Sequence, residues 1–467
     1  MSDFKLWIDG NAVDGASEMD VINPATEEVF ATIAKSDKAQ VDAAIDSAKA
    51  AQLLWAKTSI SERQAALSKI ADGLNENADD IARTLTQEQG KPSTEAAAEV
   101  MYTEAFIRHF ATMDLPMEVL QDDESKRVEL HRKPLGVVAC IIPWNFPLLI
   151  IAFKAPLAIL AGNAVVIKAS PTTPISTAKF AEICASVLPA GVVNTVNDEN
   201  ELGDYLTSHP NIAKVSFTGS SATGKKVMAS ASNTLKRLTL ELGGNDPGIV
   251  LPDVNVKETA AKLYGAAFMN CGQVCLALKR TYVHESIYDE MCDELATLAN
   301  AAVVGDGSNQ GTEIGPLNNK MQYEKVKGFL ENAKTAGTVI AGGDVPDTKG
   351  YFINPTIVRD VKDGDEIVDE EQFGPIMPVI KYADNDDIVG SANGLEFGLG
   401  ASVWSDDLDR AKEIAMQVES GTVWINTHLD FGPNVPFGGA KQSGIGVEFA
   451  QEGLHEFTQV QIINQAK

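Results

Sequence analysis

From Leu135 onward, short apolar runs of strand length alternate with helical stretches, and this rhythm confines the fold more tightly than any other feature. Val137–Ile142, Ala164–Lys168, Val192–Val196 and Lys214–Thr218 read as strands, with Leu148–Leu160, Thr173–Leu188 and Glu201–Ser208 as the helices between them. A strand reached through a helical crossover pairs in parallel with its predecessor, and the helices then cover both sheet faces. A second series begins near Thr259, with Thr281–His284, Val339–Ala341, Ile376–Tyr382 and Thr422–Asn426 as strands. The expectation is an α/β chain with two parallel sheets. Ahead of Leu135, Ala39–Ala56, Ser61–Leu74, Ala78–Gln89 and Thr94–Met113 have helical spacing, and Ser61 with Gln64 resembles a capping box. Arg127–Arg132 alternates as an exposed strand does, and Thr458–Lys467 reads as an extended arm.

At 467 residues the chain is long for one domain, so two or three are expected. A net charge of −27 argues against nucleic acid and against anionic membrane surfaces. The most apolar region, Leu135–Ile167, is interrupted by Pro143, Asn145, Pro147, Lys154, Pro156 and Asn163, so no membrane span is expected. The N-terminal residues lack the pattern of a secretory signal. Five cysteines without a CxxC pair suggest neither a disulfide framework nor a metal site, which fits a reducing cytoplasm.

Three segments carry chemistry. Lys214–Thr218 runs through Gly219-Ser220-Ser221-Ala222-Thr223-Gly224 into a helix, a place for phosphate oxygens. The segment nearly matches a P-loop, but Lys226 stands where Ser or Thr would hold magnesium. A nucleotide-binding P-loop protein is therefore an alternative reading, as is a tight structural turn. In Pro143-Trp144-Asn145-Phe146-Pro147, two prolines fix the backbone around an amide at the carboxyl end of a strand. That amide could stabilise an oxyanion or simply cap a turn. Gly272-Gln273-Val274-Cys275 follows Glu241-Leu242-Gly243-Gly244 in the chain. Free cysteines are usually buried small hydrophobes, which suits Cys140, Cys184, Cys271 and Cys292. Cys271 and Cys275 are spaced for one helical face, and Gly272 and Gln273 make the approach to Cys275 open. None of the six histidines sits in a Cys-His protease signature, so a cysteine nucleophile served by Glu241 is the favoured chemistry.

These segments, with Lys168, Ser170 and Pro174, Phe217–Gly224, Glu371-Gln372-Phe373-Gly374-Pro375 and Pro436-Phe437-Gly438-Gly439, occur in an order that resembles the aldehyde dehydrogenase superfamily over essentially the whole chain. The resemblance implies NAD- or NADP-dependent oxidation of an aldehyde to the acid by the non-acylating route. Cys275 would form a thiohemiacetal and then a thioester. Asn145 and the Cys275 backbone N–H would hold the oxyanion, and Glu241 would activate the hydrolytic water. Lys154 and Glu448 match positions that relay the proton in some relatives. Lys168, with Ser170, would meet the adenosine ribose, Ser220 a phosphate and Glu371 the nicotinamide ribose, with Phe373 near the nicotinamide. Trp144, Gly219, Gly224, Leu242 and Gly243 would line the cofactor groove.

Pro171 stands where many NAD-preferring relatives carry Glu, which leaves NAD and NADP both open. Asn245 and Val447 replace a common Lys and a common Arg. Positions matching the substrate tunnel are Phe146, Ile150, Phe153, Val274, Leu276, Leu429, Phe431 and Phe437, with His428 the one nearby polar candidate. No Arg is present to meet a distal carboxylate, so a neutral aliphatic or aromatic aldehyde is expected. A CoA-acylating or a semialdehyde-specific relative is the alternative. The resemblance further implies an aldehyde-dehydrogenase-like fold with two Rossmann-type domains. Residues 1–117 and 135–241 would bind the dinucleotide and 242–445 would form the catalytic domain. Residues 118–134 and 446–467 would form a bridging β-arm of a homodimer or homotetramer.

Overall fold

The computed structural model describes residues Ser2–Lys467. Two sheets dominate. The first has six strands in the spatial order Gly444–Ile445, Arg237–Glu241, Ile212–Thr218, Val137–Ile141, Ala164–Lys168 and Val193–Val196. All its pairings are parallel except the one between Gly444–Ile445 and Leu240–Glu241. Residues 444–445, expected in the catalytic domain, thus close the edge of this sheet. Val137–Ile141 and Ala164–Lys168 read as near-continuous apolar runs because helices cover both faces. Pro147–Leu160 is buried at every position. A helix apolar all round belongs inside the protein, and Pro147 at its first turn gives up an N–H that has no helical acceptor.

The second sheet has seven strands in the order Thr338–Ala341, Thr356–Val361, Ile376–Tyr382, Leu278–His284, Asp246–Val250, Gly400–Trp404 and Thr422–Ile425. Its pairings are parallel apart from the antiparallel edge between Thr338–Ala341 and Thr356–Val361. Three of these strands, Asp246–Val250, Thr356–Val361 and Gly400–Trp404, were not expected. Asp246–Val250 contains Pro247 and Gly248, which depress strand propensity, yet burial on both faces decides the matter. The two β-hairpins before Lys38 were also unforeseen.

The third sheet is antiparallel. Thr458–Ala466 pairs along its length with Lys126–Pro134, which pairs in turn with Glu118–Asp122. Val119, Leu120, Val460, Ile462 and Ile463 are exposed on it. The helix expected from Ser61 begins at Ile60, and its reciprocal cap is made by Ser59 and Glu62 rather than by Ser61 and Gln64. No helix among the described residues is long and apolar enough to cross a membrane.

Candidate active site

The carboxyl ends of the first sheet open into a groove of about 870 Å³. Trp144, Asn145, Lys168, Ser170, Gly219 and Ser220 line it from the first sheet and its loops. Leu242, Gly243, Cys275, Glu371 and Phe373 line it from the other side. Gly224 lies beneath. A Cβ there would stand 2.5 Å from Leu242 Cδ2, so this glycine lets the helix Ser221–Ala231 press onto the residue that forms the floor. Ser220 caps that helix, accepting from the Thr223 N–H at 3.3 Å. The Trp144 and Phe373 rings meet edge to face at 5.3 Å.

Two glycines bring the remote segments together. A Cβ on Gly244 would fall 2.3 Å from the Cys275 carbonyl oxygen, and one on Gly243 would fall 2.8 Å from Glu371 Oε2. The Gly244 N–H donates to Glu371 Oε1 at 3.0 Å. The Glu241–Gly244 turn, the cysteine loop and Glu371 therefore share one close contact, in which a side chain at 244 would force backbone from backbone and one at 243 would displace the Glu371 carboxyl. Burial pushes the Glu371 carboxyl up to about 7, against the Gly244 hydrogen bond.

Cys271 and Cys275 do not share a helical face. Asn270, Cys271 and Gly272 turn in the left-handed region at φ 51°, 58° and 70°, which breaks the helix before the thiol. Gln273 does not open the approach either. It is fully buried, its Nε2 donating to the Asn270 carbonyl at 2.9 Å and its Oε1 accepting from the Asn318 N–H at 2.9 Å. Cys275 itself is half-buried, whereas Cys140, Cys184, Cys271 and Cys292 are buried. Burial raises the Cys275 thiol above its ordinary value, and Glu371, Asp246 and Glu241 add to the effect.

Asn145 is held from both ends. Its Nδ2 donates to the Gln273 carbonyl at 2.9 Å, leaving a second N–H of the amide unspent. Its own carbonyl accepts from Lys91 Nζ and from Asn270 Nδ2, each at 2.9 Å. Lys91 is buried, pairs with Glu99 at 2.5 Å and lies 3.8 Å above the Phe146 ring centre. Glu99 Oε1 in turn accepts from the Leu148 and Leu149 N–H groups at 2.9 and 3.1 Å, satisfying the start of the buried helix. Lys91, Glu99, Asn270 and Gln273 were not foreseen as site residues. Their residue types are ordinary, and only the fold shows that Lys91, Asn270 and Gln273 hold Asn145 while Glu99 holds Lys91.

Glu241 ends its strand 4 % exposed, and neither carboxyl oxygen has a hydrogen-bond partner among the described residues. Burial and the nearby Glu448 charge raise its pKa, and Lys154 opposes them. Lys154 and Glu448 form a buried ion pair with each other. Glu448 is fixed by its backbone, which exchanges hydrogen bonds with Phe437 at 2.9 and 2.7 Å.

Behind the thiol lies an aromatic cluster. Phe153 meets Phe449 at 4.4 Å and Phe106 at 5.1 Å between ring centres, while Phe431 and Phe437 stand 6.4 Å apart. Ile150, Val274 and Leu276 are buried in the same core, and Phe146, Cys275, Leu429 and Phe431 pack against it. Phe106 and Phe449 join the cluster without having been foreseen. His428 departs from expectation. Its ring is fully buried, with Nε2 2.8 Å from the Leu276 carbonyl and 3.6 Å from Asp246 Oδ2. It is a strut beneath the cysteine loop, and it offers no open polar group to a substrate.

The residues present fit a nicotinamide dinucleotide. A capped helix start stands ready for phosphate, and a buried ammonium and a buried carboxyl flank the two ends of one groove. The Aldehyde dehydrogenase family profile matches residues 7–463. Aldehyde dehydrogenase LUC3 of a Fusarium species is 38% identical over 445 residues, covering 95% of this chain and 94% of that protein. Phenylacetaldehyde dehydrogenase of Pseudomonas fluorescens is 38% identical, covering 97% and 94%. The NAD+ complex of aldehyde dehydrogenase from Bacillus cereus superimposes with a TM-score of 0.97 at 34% identity, covering 99% and 96%. The chain therefore belongs to the aldehyde dehydrogenase family, and is an enzyme that oxidises an aldehyde to the carboxylic acid with NAD+ or NADP+.

Proposed function

We propose that Cys275 is the nucleophile, that Asn145 is the oxyanion donor and that Glu241 is the base for hydrolysis. The observation that carries this reading is the meeting of the thiol, the Asn145 amide and Glu371 along one groove, with Glu241 buried beside it. Sγ adds to the aldehyde carbon, the thiol proton leaves to a carboxylate, and the oxygen gains charge. The unspent Asn145 N–H and the Cys275 backbone N–H meet that charge from fixed positions, which avoids reorganisation as it develops. A bound nicotinamide supplies the hydride acceptor that turns the thiohemiacetal into a thioester. Glu241 then takes a proton from water, whose oxygen attacks the thioester carbon and expels the thiolate. A carboxylate made more basic by burial is suited to that task, and the nearby Glu448–Lys154 pair could pass the proton on.

The residues matched to the dinucleotide keep their assignments in this reading, with Lys168 at the adenosine ribose, Ser220 at phosphate and Glu371 at the nicotinamide ribose. The aromatic cluster supports a neutral aliphatic or aromatic aldehyde, and the similar Pseudomonas protein is named for phenylacetaldehyde. The exposed apolar residues of the three-stranded arm support pairing with a second copy as a dimer or tetramer. The substrate reading is tested by following reduced nicotinamide with hexanal, benzaldehyde and succinic semialdehyde. The neutral aldehydes should show kcat/KM higher by about tenfold or more. A far higher value for succinic semialdehyde would overturn it.

A further inference from the structure

We propose that Asp198 makes this enzyme select NAD over NADP, by neutralising the Lys168 ammonium that would meet the adenosine ribose. The proposal rests on the assignment of the groove to a nicotinamide dinucleotide. Position 171, on the lysine's own loop, is proline and contributes no carboxylate. The structure brings one from the neighbouring strand instead. Lys168 pairs with Val196 across the parallel ladder, so the chain leaving Val196 reaches the lysine's ammonium two residues later. Asp198 Oδ1 stands 2.5 Å from Lys168 Nζ, and Asn200 Oδ1 stands 3.3 Å from it.

This arrangement is rigid. Asp198 is 1% exposed and its Oδ2 accepts from the Leu202 N–H at 2.6 Å. The preceding Asn197 is tied to Ser36 and Ala34, and Lys35 pairs with Glu199 and Glu201. Asn200 adopts φ 79°, a conformation asparagine tolerates better than most residues, and lines the groove.

An ammonium has three protons. Asn200 accepts one, while Asp198 Oδ1 pairs with the ammonium by charge and takes no hydrogen bond from it. A donor whose charge is offset in this way suits a neutral ribose hydroxyl. A 2′-phosphate carries close to two negative charges, calls for several donors, and would meet an ammonium already offset by a buried carboxylate. Two other charged side chains line this end of the groove. Asp204 adds a negative charge, and Lys226 is exposed on its helix, where water and salt screen it.

The test is titration of the full-length enzyme with NAD or NADP in the absence of aldehyde, followed by tryptophan fluorescence, since Trp144 lines the groove. NADP should bind at least about tenfold more weakly. Asp198→Asn, which keeps an acceptor for the Leu202 N–H, should shrink that gap about tenfold, mainly by improving NADP. Equal affinities in the natural enzyme would overturn the proposal without recourse to any variant. So would a gap that Asp198→Asn leaves unchanged while NAD binding is intact. If neither dinucleotide binds, the groove assignment itself falls, and the proposal with it.

Discussion

The groove and the interior behind Cys275 meet at one sulfur atom, yet they are built by opposite means. The groove is lined by polar groups at the ends of parallel strands, where glycines let backbones approach and side chains keep donors to spare. The interior is buried and largely apolar. Glu241 has no hydrogen-bond partner among the described residues, Lys154 and Glu448 pair out of water, and phenyl rings surround the rest. Groups of the first kind hold a ligand by direct contact. Groups of the second kind set reactivity through desolvation, which moves proton affinities far more than a surface charge can. The lesson is that changes in the interior should alter rates and pH profiles while leaving dinucleotide affinity alone, and changes in the groove should do the reverse.

The largest separation is expected at the sulfur. Cys275→Ala should lower dehydrogenase turnover by about 10⁴-fold or more, with the NAD dissociation constant within a few-fold of the natural enzyme. Glu241→Gln should slow the steady state by roughly 10²- to 10³-fold while a first burst of reduced nicotinamide survives, as rapid mixing would show. A burst lost in proportion to the steady state would make Glu241 an activator of the thiol.

Lys91 tests the comparison at its boundary, because it touches neither cofactor nor thiol and acts on Asn145. Removing one partner of a buried ion pair costs about 3–5 kcal/mol of stability, so the paired change Lys91→Met with Glu99→Gln is the better probe. It should lower kcat by roughly 10- to 100-fold, with dinucleotide affinity unmoved, if the Asn145 amide loses its placement. Unchanged kcat would confine the pair to a structural role.

The smallest effect is one of position on the pH axis. The Glu448 charge raises the Glu241 pKa and Lys154 lowers it. Hydrolysis needs Glu241 ionised, so the rate falls as pH drops through its pKa. Glu448→Gln should therefore move this acid limb to lower pH, and Lys154→Met should move it to higher pH. Shifts of the same sign would remove the pair from Glu241's surroundings.

Much of this organisation was legible in the sequence because it is local. The alternation after Leu135 follows from hydrophobic period, and the observed strands Ala164–Lys168 and Ile376–Tyr382 match the expected bounds. The Gly219–Gly224 turn and the Pro143–Pro147 platform were legible through glycines and prolines whose backbone demands are strong, whereas Lys168, Glu371 and Phe373 were marked only by the family resemblance. What escaped notice depends on tertiary contact. Asp198 looks like any acidic loop residue until strand pairing sets it against Lys168. Lys91 and Glu99 lie eight residues apart with nothing to mark their burial, and Gln273 looked like an opening before its side chain proved to be a brace. His428 was misread for the same reason, since its partners Leu276 and Asp246 are distant in the chain.

The most direct test of the central claim is to trap the enzyme midway. Glu241→Gln should be mixed with NAD and benzaldehyde or hexanal, quenched within the burst, and its peptides weighed. An acyl group should appear on the peptide carrying Cys275, in an amount that tracks the reduced nicotinamide formed. Reduced nicotinamide without any such adduct, or an adduct on another cysteine, would contradict it.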